Sequence, residues 1–387
     1  MSGITTKNKI FYFIYFVGFL FSVHLALSAY INSTFMNEYA TERIVGILYT
    51  TGSILAIFGF AIIPQFLSRF GNYKLTLFLV ALNIAFLLGL AVFKNVWLLA
   101  PIFILKIAFI MFIYFNLDIF LESKSTDGET GSIRGKYMTA MNIAWVVSPM
   151  IAGFILTNGD YWKIYLTSAS IMAIVFILIF SGLKNFKDPK YEKIPFFKTL
   201  LYVWKNKNIY NIFMAGFFLR FFYSWMVIYT PIYLHEHIGF NWDKIGIIFT
   251  IMLLPFILFE LPIGKLADKK FGEKEILVLG FAIMAATTMS LSFVNGGMIV
   301  WATALFITRI GASMVEITSE SYFFKQIDGD DANLLGFYRN TRPLAYVIAP
   351  VIASVFLSIF DYRYIFVALG AIMILGAMYG LKLKDTR

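Results

Sequence analysis

The chain has 387 residues, of which 60% are apolar, 19% aromatic and only 14% charged, with a formal net charge of +10. A water-soluble domain carries about 25% charged residues because its surface must be wetted, so a string of soluble domains is excluded and most of the chain must face lipid. The absence of cysteine and the presence of only three histidines (His24, His235 and His237) exclude disulfide frameworks and thiolate sites and leave little scope for a histidine cage, so no metal or other cofactor is expected.

At the start of the chain, Lys7 and Lys9 precede a long apolar run that ends in small residues around position 26. The run exceeds the roughly 7–15 residues of a signal-peptide core, and many similar runs follow it. It reads as a retained first span. A spanning helix needs about 20 mostly apolar residues, and such runs recur at 10–30, 44–67, 75–93, 96–121, 137–156 and 164–183. A second set follows at 209–234, 245–263, 276–294, 298–323, 338–359 and 364–381. The runs are continuously apolar, without the period of two that marks a barrel strand. The predicted fold is therefore an all-α polytopic membrane protein of 12 transmembrane helices in two pseudo-symmetric six-helix bundles. The bundles are expected at 1–183 and 209–387, joined by a basic linker at 184–208.

Basic residues test this count. The predicted outer segments hold only Arg43, Lys94, Lys163, Lys244 and Arg363, whereas 184–207 alone holds seven lysines. Basic residues are retained on the cytoplasmic side, which predicts a cytoplasmic (inner or plasma) membrane protein with both termini and the linker inside. The same bias accounts for the net charge without a nucleic-acid partner. Within the linker, 194–203 (IPFFKTLLYV) reads either as an amphipathic segment on the membrane surface or as a loose basic tether. The triplet Asn32-Ser33-Thr34 is a glycosylation sequon that falls in the predicted first outer loop.

The halves repeat. PQFLSRFGNYK at 64–74 recurs in kind as PIGKLADKKFGEK at 262–274, and an offset of about 200 also aligns Gly135 with Gly336, Ala144 with Ala345 and Pro149 with Pro350. Parallel repeats of this kind place a binding cavity at the repeat interface and work by rocking. Gly264, Leu266, Ala267, Asp268, Lys269, Gly272 and Lys274 follow the inner-loop pattern G-x-L-a-D-[RK]-x-G-[RK]-[RK], with one extra residue before Gly272. The first copy keeps Arg69, Gly71 and Lys74 but has Pro64 and Ser68 in place of the first Gly and the Asp. On these motifs and the twelve runs, the chain resembles the major facilitator superfamily over nearly its whole length.

The resemblance implies a gate on the inner side. Asp268 would cap a helix of the other half near Arg134 and Gly135, where the positive helix end favours a carboxylate by about 0.3–2 kcal/mol. Lys269 would pair with Glu320, and Arg69 with Asp118 or Glu122. Ser68 cannot supply the anionic cap in the first copy. Span 5 carries a small-residue ladder, Ala144, Ser148-Pro149, Ala152 and Gly153, repeated in span 11 as Ala345, Ala349-Pro350, Ala353 and Ser354. It matches an antiporter-associated pattern with Ala or Ser for several Gly. Because both halves carry it, close helix packing is the preferred reading.

Charges in mid-membrane cost about 2.5–3.5 kcal/mol on insertion scales and are functional candidates by default. Lys106, Arg220 and Arg309 each lie about ten residues into their spans, near 15 Å deep at about 1.5 Å per residue. The acids Asp118, Glu260, Glu316 and Glu320 fall nearer the cytoplasmic ends. Three central cations without a central acid predict a bound anion, so Lys106, Arg220 and Arg309 are expected to hold an anionic organic solute. Asn142, Trp145, Tyr223 and Tyr346 are expected as further cavity contacts. Glu316, then Glu260, then His24 are the expected proton-coupling groups, while Glu260 is alternatively a gate partner of Arg339 or Arg342.

These readings converge on a secondary active transporter of a small organic solute, coupled to an ion, expected to be the proton, and sufficient as a monomer within the lipid bilayer. A proton-driven exporter of hydrophobic or cationic compounds is the alternative that the span 5 ladder favours. A membrane-embedded enzyme is disfavoured by the lack of paired acids, metal-spaced histidines or a nucleophile triad. A transport-dead receptor is hinted at only by the eroded first loop. No G-x4-G-K-[ST] phosphate loop is present to bind ATP.

Overall fold

The computed structural model describes residues 2–123, 130–156, 159–189, 196–267, 271–326, 334, 337–338 and 340–384. Every regular element among them is helical, as expected of a chain whose backbone must satisfy its own hydrogen bonds in lipid. Among the described residues, eleven helical stretches are long and apolar enough to cross a membrane, and the twelfth expected span coincides with the 17-residue apolar helix Thr341–Leu357. The chain is an all-helical membrane protein.

The chain divides into two compact units. The first comprises 1–40 and 51–193, the second 41–50 and 194–387. The first contains α1 (Ser2–Ala29), the short α2 (Asn32–Asn37), most of α3 (Glu42–Val92), α4 (Val96–Glu122), α5 (Thr130–Ile155) and α6 (Tyr161–Gly182). Helix α1 is its centre, packing on α5 and α6 and touching α4.

In the second unit, α7 (Phe196–Lys205) leads into α8 (Lys207–Ile232), which continues through a π-helical turn at Tyr233–His237. Beyond it lie α9 (Trp242–Leu258), α10 (Glu260–Leu266), α11 (Glu273–Leu291), α12 (Met298–Lys325), α13 (Thr341–Leu357) and α14 (Ile365–Leu381). Helix α11 packs on α12 and α14, α12 also on α8 and α9, and α13 on α8. Helices α11 and α12 meet at paired glycines: a Cβ on Gly280 would lie 2.8 Å from the Gly311 carbonyl, and one on Gly311 2.6 Å from the Gly280 carbonyl. Only glycine permits this approach, and close van der Waals packing is what holds helices together where lipid removes the hydrophobic drive.

The small-residue face of α13 serves the same end. Ser354 donates to the Arg43 carbonyl at 3.2 Å and Thr50 donates to the Val347 carbonyl at 3.2 Å. Residues 43–50 thus lie along the ladder predicted for span 11.

Both copies of the repeated loop turn on a glycine in the left-handed region, Gly71 at φ 75° and Gly272 at φ 86°. In the first copy Gly71 separates the two spans carried by α3. The next residue's N–H, on Asn72, donates to Asp188 Oδ1 at 2.7 Å, so a carboxylate from the stretch after α6 meets the helix start that follows the turn. Arg69 is exposed and its guanidinium lies 5.4 Å over the Phe70 ring; of its two expected partners, Asp118 is half-buried on α4 and the side chain of Glu122 lies outside the described residues.

A Cβ on Gly71 would fall 2.5 Å from Asp188 Oδ2, and the left-handed backbone alone costs a non-glycine residue about 1–2 kcal/mol. Gly71→Ala is therefore expected to lower the thermal midpoint of the detergent-purified protein. Adding Asp188→Ala removes the clash, so the double variant should lose less than the sum of the two single losses; strict additivity in this cycle would contradict the contact.

Candidate functional site

The second unit brings four of the predicted residues into contact. Arg220 and Tyr223 stand three positions apart on α8, and Glu316 and Glu320 four apart on α12, so each pair occupies one helix face. Arg220 Nη1 donates to Glu316 Oε1 at 2.8 Å and Nη2 to Glu320 Oε1 at 3.4 Å. Tyr223 Oη donates to the other oxygen of Glu316 at 2.6 Å, and its ring lies 5.7 Å from the guanidinium. The charges are only partly shielded, with side-chain exposures of 19% for Arg220, 22% for Glu316 and 29% for Glu320.

The expectation that Arg220 is an uncompensated cation is overturned by these carboxylates. The reason is the opposite run of the two helices. Arg220 lies 13 residues from the start of α8 and Glu316 nine from the end of α12, about 20 and 14 Å along the axes. The long arginine side chain spans the difference. Glu320 is a second acceptor for Arg220, while its expected partner Lys269, with Asp268, lies outside the described residues. Glu260, half-buried at the start of α10, is within electrostatic reach of Glu316, Glu320 and Arg220, so both acids expected to couple protons belong to one neighbourhood.

Arg309 is 1% exposed, and its guanidinium lies 4.8 Å over the ring of Phe222 on α8. Tyr346 is half-buried on α13. Of the remaining inner-loop residues, Gly264 lies in α10 against Ile317 of α12, and Gly272 is the turn that starts α11.

In the first unit, Lys106 of α4 is 1% exposed. Its ammonium donates to Asn32 Oδ1 at 3.0 Å and Ser28 Oγ at 3.3 Å and lies 5.4 Å from the Tyr165 ring centre. Tyr165 Oη donates to the same Asn32 oxygen at 3.0 Å. Among the described residues no carboxylate pairs with Lys106. Asn32 is therefore no outer-loop sequon: Asn32, Ser33 and Thr34 are 8%, 0% and 0% exposed, because α2 folds them into the helix packing.

His24 is fully buried, with Nδ1 donating to the Phe21 carbonyl at 2.5 Å, while Ser168 Oγ donates to the His24 carbonyl at 3.3 Å. The bound Nδ1 carries a proton, so in a neutral ring Nε2 is the acceptor, and Nε2 has no hydrogen-bond partner among the described residues. Both atoms of the Asn83 amide, likewise buried, have none either. On α5, Asn142 and Trp145 are half-buried and three positions apart, and Trp145 meets Tyr30 edge to face at 6.3 Å. Asp118 is half-buried on α4.

Three contributions escape a reading of the sequence. Asn32 and Tyr165 hold Lys106; the signal for Asn32 was a polar triplet at the end of an apolar run, and Tyr165 was one aromatic among many in an apolar span. Glu273, at the first turn of α11 with a side chain 1% exposed, is bound by Lys325 and accepts from Ser321 Oγ at 3.3 Å; its signal was an acid directly after the loop glycine. Glu42 faces His237 at 3.5 Å, and that ring lies against Tyr362 with centres 4.4 Å apart.

The family model for the Major Facilitator Superfamily matches residues 233–387. The uncharacterized transporter YybO of Bacillus subtilis (strain 168) is 25% identical over 138 residues, and the match spans 35% of this chain and 31% of that relative's length. A solved structure of the nucleoside transporter NupG superposes with a TM-score of 0.75 at 13% identity, covering 97% of this chain and 100% of that one. A bacterial homolog of the human lysosomal transporter Spinster, inward-facing and unoccupied, gives 0.76 at 9% identity, covering 97% and 96%. At such identities these two structures show a shared fold.

Removing one partner of a buried ion pair costs about 3–5 kcal/mol, reduced here because the charges are about one-fifth exposed. Arg220→Gln, which leaves two acids facing each other, should lower the thermal midpoint more than Glu316→Gln, which leaves Glu320 as acceptor. Tyr223→Phe should cost least. A Glu316→Gln protein as stable as the parent would show that the contact carries no weight.

Proposed function

We propose that this chain is a transporter of the Major Facilitator Superfamily, a reading supported by the family match over 233–387 and the shared fold, and that it moves a small organic solute, anionic at neutral pH, by secondary active transport through alternating access coupled to protons. The observation that carries the anionic reading is Lys106, a buried cation held only by neutral oxygens and an aromatic face among the described residues. A cation so placed gains more from an anionic solute than from any partner it has, since charge-assisted bonds are the strong ones. Arg309, also buried, is a second contact for the solute, and Asn142, Trp145, Tyr223 and Tyr346 supply polar and aromatic surface. Both termini are assigned to the cytoplasm by the lysines of the linker.

Coupling is assigned to Glu316. One oxygen accepts from Arg220 and the other from Tyr223; a proton on Glu316 removes an acceptor site and the charge that holds Arg220. Proton uptake and weakening of the α8–α12 contact are then one event. Glu260 and Glu320 are the nearest groups to share or relay that proton, and His24 is a third candidate in the first unit. Glu320, Gly264 and Gly272, with Arg69, Asp118, Asp268 and Lys269, are assigned to the inner loops that open and close.

One observation favours a second reading. The charge of Arg220 is more than met by two carboxylates, which disfavours an anion at that place and leaves room for a cargo without negative charge, such as the nucleosides named for the NupG neighbour.

Proteoliposomes with an imposed pH gradient separate the two. Organic anions, cations and nucleosides are offered singly, and entrapped pyranine reports proton movement. Loss of a charge-assisted bond of about 1.5–3 kcal/mol corresponds to roughly 10–150-fold in affinity, so Lys106→Gln should weaken uptake of the anion by at least that lower figure. Glu316→Gln should abolish accumulation driven by the gradient while leaving solute exchange intact. Anion uptake unchanged by Lys106→Gln, or nucleoside uptake alone, would refute the anionic reading.

A further inference from the structure

Helix α7 contributes none of the residues of the Arg220–Glu316 contact. It joins α6 to α8 within the linker, so covalent connection to two membrane spans holds it at the membrane border. Thr199 and Val203, one turn apart, are buried, at 6% and 4% exposure, and α7 packs on α8. At about 100° per residue, Leu200, Trp204 and Leu201 continue the apolar arc outward from Val203, and they are 38%, 73% and 57% exposed. Lys205 and Tyr202 fall on the other side of the helix and are exposed as well. A free tryptophan and two leucines beside lysines are poor partners for water and good ones for the boundary between headgroups and acyl chains, where an amphipathic helix buries its apolar face about 5–10 Å.

Charge selects the kind of lipid. Residues 184–207 carry seven lysines against two carboxylates, Asp188 and Glu192. Lys184, Lys187, Lys205 and Lys207 are all exposed, and Asp188 is engaged by the Asn72 N–H. Each basic residue near an anionic membrane surface contributes about 1 kcal/mol of attraction. We propose that α7 is an interfacial helix whose exposed Leu200–Leu201–Trp204 face enters the membrane surface and whose flanking lysines bind the headgroups of anionic phospholipids there. The linker is thereby fastened to the bilayer at its second half, and to the first unit through Asp188 at its beginning.

The absence of cysteine gives a direct test on the full chain. Spin labels are placed singly at Leu200→Cys and Tyr202→Cys, in vesicles of phosphatidylcholine alone or with about 30% phosphatidylglycerol, a content chosen to represent a strongly anionic surface. Oxygen and a water-soluble nickel chelate report depth. With phosphatidylglycerol, the Leu200 label should favour oxygen over nickel and the Tyr202 label the reverse. The Leu200 label should shift toward nickel in pure phosphatidylcholine or in a Lys205→Gln/Lys207→Gln background. A Leu200 label open to nickel in both lipids, shielded from both reagents by protein, or equally deep with and without anionic lipid would overturn the proposal. Thermal melting of each labelled protein identifies a variant that has misfolded, and Trp204→Ala with the label at Leu200 then replaces it, expected to show a shallower label. None of these readings depends on transport, so they fail or succeed apart from the assignment of cargo.

Discussion

A charge taken into a helix bundle in lipid has to be met at contact distance, and the residues that meet it decide what the bundle can do. Two solutions occur here. Arg220 is met by opposite charge, on Glu316 and Glu320. Lys106 is met by neutral oxygens of Ser28 and Asn32 and by the Tyr165 ring. The first arrangement sets two carboxylates against one guanidinium, an excess of negative charge when both acids are ionised, and is the one proposed to respond to protons. The second holds no carboxylate among the described residues and is the one proposed to respond to anions. The difference follows from side-chain chemistry: the planar fork of arginine accommodates two carboxylates at once, whereas the compact lysine ammonium suits a small nest of single acceptors.

The same economy of partners runs through the repeated inner loop. Gly71 and Gly272 hold nearly the same left-handed backbone, so the turn itself is a property of the repeat. The residue after each glycine differs. Asn72 succeeds Gly71, and its N–H is capped by Asp188 from another part of the chain. Glu273 succeeds Gly272; it carries its own negative charge at the helix start and draws in Lys325 and Ser321. Negative charge at a helix N-terminus is favourable wherever it originates, so Asp188 does at the start after Gly71 what Glu273 does after Gly272. The first loop is eroded in sequence and intact in shape.

The sequence disclosed the spans, the repeat and the loop glycines because those signals are local: a run of apolar residues, an offset of about 200, a glycine at the matching place. It disclosed the type of the site residues and failed on their partners. Arg220 and Glu316 are 96 positions apart, and the depth of each along its own helix puts them at different levels until the reach of the arginine side chain is counted. Asn32 was misread for a different reason. A polar triplet after an apolar run has the composition of an outer loop, and only the packing of a six-residue helix turns it inward. Asp188 lay in a basic linker where nothing in the residue pattern distinguished it from a solvated acid.

Glu316 unites packing and coupling in the proposed cycle. Its two oxygens are engaged by different donors, Arg220 and Tyr223, both on α8, so the carboxylate crosslinks two helices through a single side chain. Protonation cannot weaken one bond and leave the other untouched, since the negative charge strengthens both. Glu320, at 3.4 Å from Arg220, prevents the arginine from becoming an unpaired buried charge when Glu316 is neutral. The second acid thereby lowers the cost of the protonated state without replacing the close bond. A pair with one carboxylate would resist protonation; a pair with a second acceptor one turn away can pass between two arrangements, which is the property a coupled carrier requires of its coupling group.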